Sequence, residues 1–174
     1  MPMLFALATS VGVLAVVATW LFSVDPLAGN HLQIWQAFIA WGCHYHSGGK
    51  LTGTRNTAAC MSFGAVVGMV AILLAGQLGS LGQLAAPVAV GLGATVIVLA
   101  SSIPLLATIP ASVYGFASIA GLVLLSTGMT AAAALMPTIL SIVIGAAFGY
   151  VSEAVANSLA KAPTATPSRR GVPT

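Results

Sequence analysis

The stretch IWQAFIAWGCHYHSGGKLTGTRN, Ile34–Asn56, carries most of the polar chemistry of the chain. It holds two of the three Trp, two of the three His, one of the two Cys and two of the five basic residues. Its first part is apolar and aromatic. Gly48-Gly49 then interrupts it, and a second apolar run follows Asn56. Whether this stretch crosses a bilayer decides the topology of the whole chain.

Working outward, the surroundings are almost wholly apolar. The 174 residues are 59% hydrophobic and 4% charged, with a mean hydropathy of +1.06. A soluble domain carries about 25% charged residues. The apolar runs reach the length of about 18 residues that crosses roughly 30 Å of hydrocarbon. The expected fold class is therefore all-α, a polytopic membrane helical bundle of about six transmembrane segments. The net charge of +3 does not point to nucleic acid, because three of the five basic residues crowd into the last fourteen positions. A basic stripe with interleaved aromatics is lacking.

Six apolar segments can be drawn, at about Pro2–Ser23, His31–Tyr45, Asn56–Leu78, Gln83–Leu105, Thr108–Leu125 and Thr130–Ala160. The N-terminal run lacks a positive leader and is longer than a signal-peptide core, so it reads as a retained span. Turn residues separate the segments: Asp25-Pro26 with Gly29-Asn30, Ser47-Gly48-Gly49, and Gly79-Ser80-Leu81-Gly82. Pro110 suits a first helical turn, and the sixth segment is expected to bend near Pro137. Residues 1–160 form the transmembrane domain. Residues 161–174, rich in Pro, Thr and Ser, read as a disordered cytoplasmic tail.

Charge orients the model. Six crossings place Lys50, Arg55, Lys161, Arg169 and Arg170 on one face and Asp25 on the other. Basic residues mark the cytoplasmic side, so both termini are expected there. Five crossings would split the basic residues between the faces.

A weak internal repeat is visible. Gly64-x-x-x-Gly68 and Gly145-x-x-x-Gly149 lie 81 residues apart, and the same offset carries Trp35 onto Phe116. Two three-segment halves would be inverted in the membrane. Short or broken segments two and five would then occupy matching positions, which in transporters points to a site near the midplane. The four glycines are expected to pack helices closely.

The candidate solute-binding or pore-lining residues are Trp35, Gln36, Trp41, His44, Gly48, Gly49 and Asn56, with Pro110, Tyr114 and Phe116 from the second half. The Gly48-Gly49 break could free backbone groups to face a solute, since irregular backbone at membrane depth needs protein or water around it. The alternative is an interfacial cap, with Trp and Tyr at the headgroups and Lys50 and Arg55 snorkelling. Metal handling through Cys43, His44 and His46 is a weaker alternative, because side chains two apart on a helix diverge by about 200°. Glu153 lies close to the expected end of the sixth segment and reads as interfacial. Cys43 and Cys60 read as buried free thiols. No Ser/His/acid set, phosphate loop or CxxC pair is present, so neither an enzyme nor a cofactor is expected.

Several motifs resemble a family of small bacterial inner-membrane proteins of unknown function, typified by an uncharacterised enterobacterial protein. They are Trp35-x-x-Phe38-x-x-Trp41-x-x-x-Tyr45 with Gly48-Gly49, the small-residue stretch Ala58–Gly68, and Pro110-x-x-x-Tyr114-Gly115-x-Ala117. The resemblance spans all but the tail. It implies about six spans and an inner-membrane location, and supplies no functional residues. The leading expectation is a channel or transporter for a small neutral solute, embedded in lipid and able to form homo-oligomers. The second is a non-transporting membrane subunit or scaffold.

Overall fold

The computed structural model describes residues 1–160. Lys161, Arg169, Arg170 and the expected tail lie outside the described residues. Six α-helices follow in order: α1 Met3–Ser23, α2 Ile34–His46, α3 Lys50–Gln77, α4 Ala85–Ala100, α5 Ile109–Leu125 and α6 Ala131–Leu159. Four helical stretches are long and apolar enough to cross a membrane: α1, α3, α6, and α4 with the 3-10 turns leading into it. The described chain is thus a polytopic, all-helical integral membrane protein. At 1.5 Å per residue, α2 with 13 residues and α5 with 17 measure about 20 and about 26 Å, short of the roughly 30 Å hydrocarbon core.

The long helices α3 and α6 form the centre and run antiparallel, with the start of α3 at Lys50 against Glu153 near the end of α6. On α6 lies α2, running parallel to it. Gln33 meets Ser141, Ala37 meets Gly145, and His44 meets Gly149. On α3 lies α5, also parallel, with Ser112 against Gly64 and Phe116 against Gly68. The outer helices α1 and α4 each pack antiparallel on a central helix. Ser10 Oγ of α1 donates to Ser152 O of α6 at 2.8 Å, and Gly93 of α4 faces Val67 and Ala71 of α3. Successive helices alternate in direction, so both ends of the described chain share one end of the bundle. The Met1 amino group is 3.4 Å from Leu159 O.

The packing follows the pattern of an inverted repeat in which the halves exchange partners. The first two helices of each half pack on the last helix of the other: α1 and α2 on α6, α4 and α5 on α3. The glycines allow it. A Cβ on Gly64 would clash with the Ser112 carbonyl, and one on Gly145 with the Ala37 carbonyl. The register differs from the constant offset expected. The starts of α3 and α6 lie 81 positions apart, but those of α2 and α5 only 75. Packing therefore sets Trp41, not Trp35, opposite Phe116, and Trp35 corresponds to Pro110. The cause is the longer α5 and its longer link to α6.

Helix boundaries follow local chemistry. Gly48 and Gly49 have φ of 102° and 67°, a region open to glycine, and they reverse the chain within three residues. As a result α3 begins at Lys50, six residues before the expected start. Lys50 and Arg55 sit on its first turns and not in a loop. Thr130 caps α6 by accepting from Ala133 N at 3.2 Å, and α6 continues through Pro137. The helix α4 stops at Ala100, five residues early, because Ser101 and Ser102 bond back to Val98 and Leu99 and the chain turns ahead of Pro104.

Candidate functional site

Both short helices start inside the bundle. Gln33 N donates to Ser141 Oγ at 2.9 Å, and Ser141 is ten residues, about 15 Å, into α6. Cys60 Sγ donates to Leu105 O at 3.4 Å, and Cys60 is ten residues into α3. Ser141 and Cys60 are equivalent in the repeat. Each half thus brings non-α backbone about 15 Å along a central helix before its short helix begins; in the second half this is the exposed 3-10 turn Pro104–Leu106.

Two polar clusters lie along the α2–α6 contact. The first is at mid-depth. Gln36, fully buried, donates from Nε2 to Ser118 O at 2.9 Å and to Thr138 Oγ1 at 3.1 Å. Both amide hydrogens are used, while Gln36 Oε1 has no partner. Ser118 Oγ beside it and Ser112 Oγ further along α5 are also buried and unpaired. Trp35 donates from Nε1 to Gln33 Oε1 at 3.2 Å, and its ring lies on Gly121. A cavity of about 290 Å³ is lined by Leu32 and Pro137, the neighbours in sequence of Gln33 and Thr138, together with Pro26, Leu27, Asn30, Met136 and Leu140.

The second cluster is at the end of the bundle that carries both chain ends. His44, also fully buried, has both ring nitrogens in contact. Its Nε2 is 3.0 Å from Glu153 Oε2 and its Nδ1 is 3.2 Å from Thr54 Oγ1. The Glu153 carboxylate also accepts from Lys50 N, capping α3 where the helix dipole favours a negative group. Gly49 suits this place, since its φ of 67° strains any residue with a side chain and a Cβ would fall 2.9 Å from Glu153 Oε2. Next to it, Ser152 Oγ accepts from Trp41 Nε1 at 2.8 Å, pairs with Tyr45 OH at 2.6 Å and donates to Gly149 O at 2.8 Å. The Trp41 ring stacks between Phe38 and Phe148.

Of the residues expected from sequence, Gln36, Trp41, His44 and Gly49 converge on α6, whereas the Trp35 ring lies on Gly121 of α5 and Gly48 is exposed in the turn. Asn56 is half-buried on α3. Pro110 opens α5, and Tyr114 meets His46 edge-on at 6.2 Å. Phe116 turns the other way, onto Gly93 of α4, where it lines an apolar cavity of about 270 Å³ with Ala71, Val90 and Ala120. His44 and His46 face different helices. Among the described residues no three His, Cys, Asp or Glu side chains come together as a metal site would require.

Sequence reasoning missed Thr138 and Ser152, and it treated Glu153 as a mere interfacial residue. A signal for the first two existed. Thr138, Ser141, Gly145, Gly149, Ser152 and Ala156 recur every three or four residues on α6, a small and polar stripe on an otherwise apolar helix.

A comparison with curated proteins and with solved structures gave no match. The profile of DUF1097, described as a protein family of unknown function, matches residues 8–157 and so takes in all six helices, and the chain belongs to that family.

Proposed function

We propose that the protein carries a small uncharged solute across the membrane, with Gln36, Ser118 and Thr138 as the point of contact. The observation that supports this most is the set of unpaired buried atoms there. A buried polar group without a partner costs about 1–3 kcal/mol, and the mid-depth cluster holds Gln36 Oε1 and Ser118 Oγ in that condition. A ligand that donates a hydrogen bond would satisfy the amide oxygen. Since both Gln36 N–H groups are engaged, the amide can only accept further bonds. No charged side chain belongs to the cluster, which suits a neutral N–H or O–H compound such as a small amide or polyol. The inverted halves and the two helices that begin at mid-depth are the arrangement in which transporters place their binding sites.

The orientation belongs to the same proposal. Lys50 and Arg55 lie at the end of the bundle shared by both chain ends, and basic residues favour the cytoplasm. Both ends of the described chain then face the cytoplasm of a bacterial inner membrane.

Stopped-flow swelling of proteoliposomes tests the proposal with urea, formamide and glycerol as probes. We expect at least one to pass faster than through protein-free vesicles, and Gln36→Leu and Ser118→Ala to reduce that flux while folding normally. Flux equal to that of empty vesicles for the whole panel, with a stoichiometric partner purifying from native membranes, would favour the scaffold alternative.

A further inference from the structure

The second cluster has a property that passage of a neutral solute does not use. We propose that His44, Thr54 and Glu153 form a proton-binding site that holds the α2–α3 turn against α6. The inference rests on how few hydrogen atoms the three side chains must share. Thr54 Oγ1 has one hydrogen and two acceptors within reach, His44 Nδ1 at 3.2 Å and its own helix's Lys50 O at 3.0 Å. In the deprotonated arrangement Thr54 O–H donates to Nδ1, and His44 Nε2–H donates to the Glu153 carboxylate at 3.0 Å. When a proton binds Nδ1, the Thr54 hydroxyl turns to Lys50 O and its lone pair accepts from Nδ1–H. The Nε2–H bond to Glu153 is unchanged. One proton is gained, every ring nitrogen keeps a partner in both arrangements, and no heavy atom has to move. A buried histidine held only for packing needs no such two-way partner.

His44 is fully buried, but the groups on either side of its ring are not: Thr54, at Nδ1, is half-buried, and the Glu153 side chain, at Nε2, is 22% exposed at the end of the bundle. The carboxylate remains in place in both arrangements because Lys50 N also donates to it. The other titratable or charged groups around the ring leave the proton to these three. Tyr45 meets His44 edge-on at 5.1 Å, but its hydroxyl is taken by Ser152. His46 turns to Tyr114 on α5. Lys50 contributes its backbone N–H at the cap, and Arg55 lies on the exposed side of α3. From α1, the Met1 amino group bonds to Leu159 O. Asp25 and His31 belong to the α1–α2 connection at the opposite end of the bundle.

The test uses the full-length protein, labelled with nitrogen-15 histidine and reconstituted in lipid nanodiscs. Its side-chain signals are followed between about pH 5 and 8, the range in which histidines change charge. His44 is assigned by loss of its signals in His44→Gln. We expect His44 to take up one proton at Nδ1. Glu153→Gln should weaken that uptake, because it removes the negative group 3.0 Å from Nε2. Thr54→Val should weaken it by a smaller factor. Trp41 fluorescence monitors folding, and if Glu153→Gln does not fold, Thr54→Val alone carries the comparison. An unchanged His44 spectrum across the range, or titration identical in wild type and the folded variants, would overturn the proposal. The measurement needs no transported solute, so it stands apart from the swelling assay.

Discussion

Replacing Gly149 by Ala tests the packing that positions both polar clusters. A Cβ at Gly149 would lie 2.6 Å from His44 Cβ, 2.7 Å from Cγ and 3.0 Å from Cδ2. An ordinary contact starts at 3.4 Å, so α2 must withdraw from α6 by about 0.8 Å. The nearest atom is the root of the His44 side chain and not a flexible tip, so rotation cannot relieve the clash. Overpacking of this kind costs about 1–3 kcal/mol. Against it stands the helix preference for Ala over Gly, about 1 kcal/mol. The same retreat stretches the 3.0 Å His44–Glu153 contact past hydrogen-bonding range. We expect Gly149→Ala to unfold at a lower temperature than wild type in detergent, with an altered His44 spectrum. Gly91→Ala is the control, because nothing lies within 4 Å of its new Cβ. It should match or exceed wild type. If Gly149→Ala is as stable as Gly91→Ala, the close approach of α2 to α6 is not as described.

Two further outcomes are expected. Ser152→Ala removes the shared partner of Trp41 Nε1 and Tyr45 OH. It should lower stability by about 1–3 kcal/mol, read by thermal unfolding, and change the Trp41 emission; an unchanged melting temperature would count against the network. The alternating helix directions predict that Asn30→Cys, Ser80→Cys and Ser126→Cys react with an impermeant thiol reagent from one side of the membrane and His46→Cys from the other. The native Cys43 and Cys60 are buried and should stay silent in that assay. Labelling of Asn30→Cys and His46→Cys from the same side would show that α2 does not bridge the two ends of the bundle.

How much of this was legible varies with the physics involved. The helical membrane class follows from apolar runs, because lipid leaves backbone groups no partner but their own helix. The paired GxxxG motifs gave the repeat, since close backbone approach admits only small residues. Their partners were not legible. That Gly64 would receive Ser112 and Gly145 would receive Ala37 depends on the halves exchanging helices, a long-range fact with no local trace. The false register between Trp35 and Phe116 has the same root, because one offset cannot serve two helix pairs joined by links of different length. The polar contacts of α2 were half legible. Gln36 and His44 stood out as polar residues in an apolar segment. Their partners Thr138 and Glu153, and Ser152 that pairs with Trp41 and Tyr45, lie over a hundred positions away; the hydroxyls among them were hidden among residues that usually bond to their own helix.

The repeat also separates scaffold from function. Both halves share the skeleton of a long helix, a short helix starting at mid-depth and a glycine seam. They fill it differently. Gly149 meets His44 where Gly68 meets Ile119, and Trp41 bonds to Ser152 where Phe116 rests near Ala71 beside an apolar cavity. Where one contact holds a polar side chain and the equivalent contact an apolar one, packing alone does not require the polar group. Thr57 and Thr138 occupy equivalent positions and are both buried, so Thr138 by itself does not distinguish the halves. Gln36, His44 and Glu153 do not recur at the matching positions Ala111, Ile119 and Ile72. That asymmetry directs mutagenesis to these three residues first: Gln36 for the proposed solute contact and His44 with Glu153 for the proposed proton site.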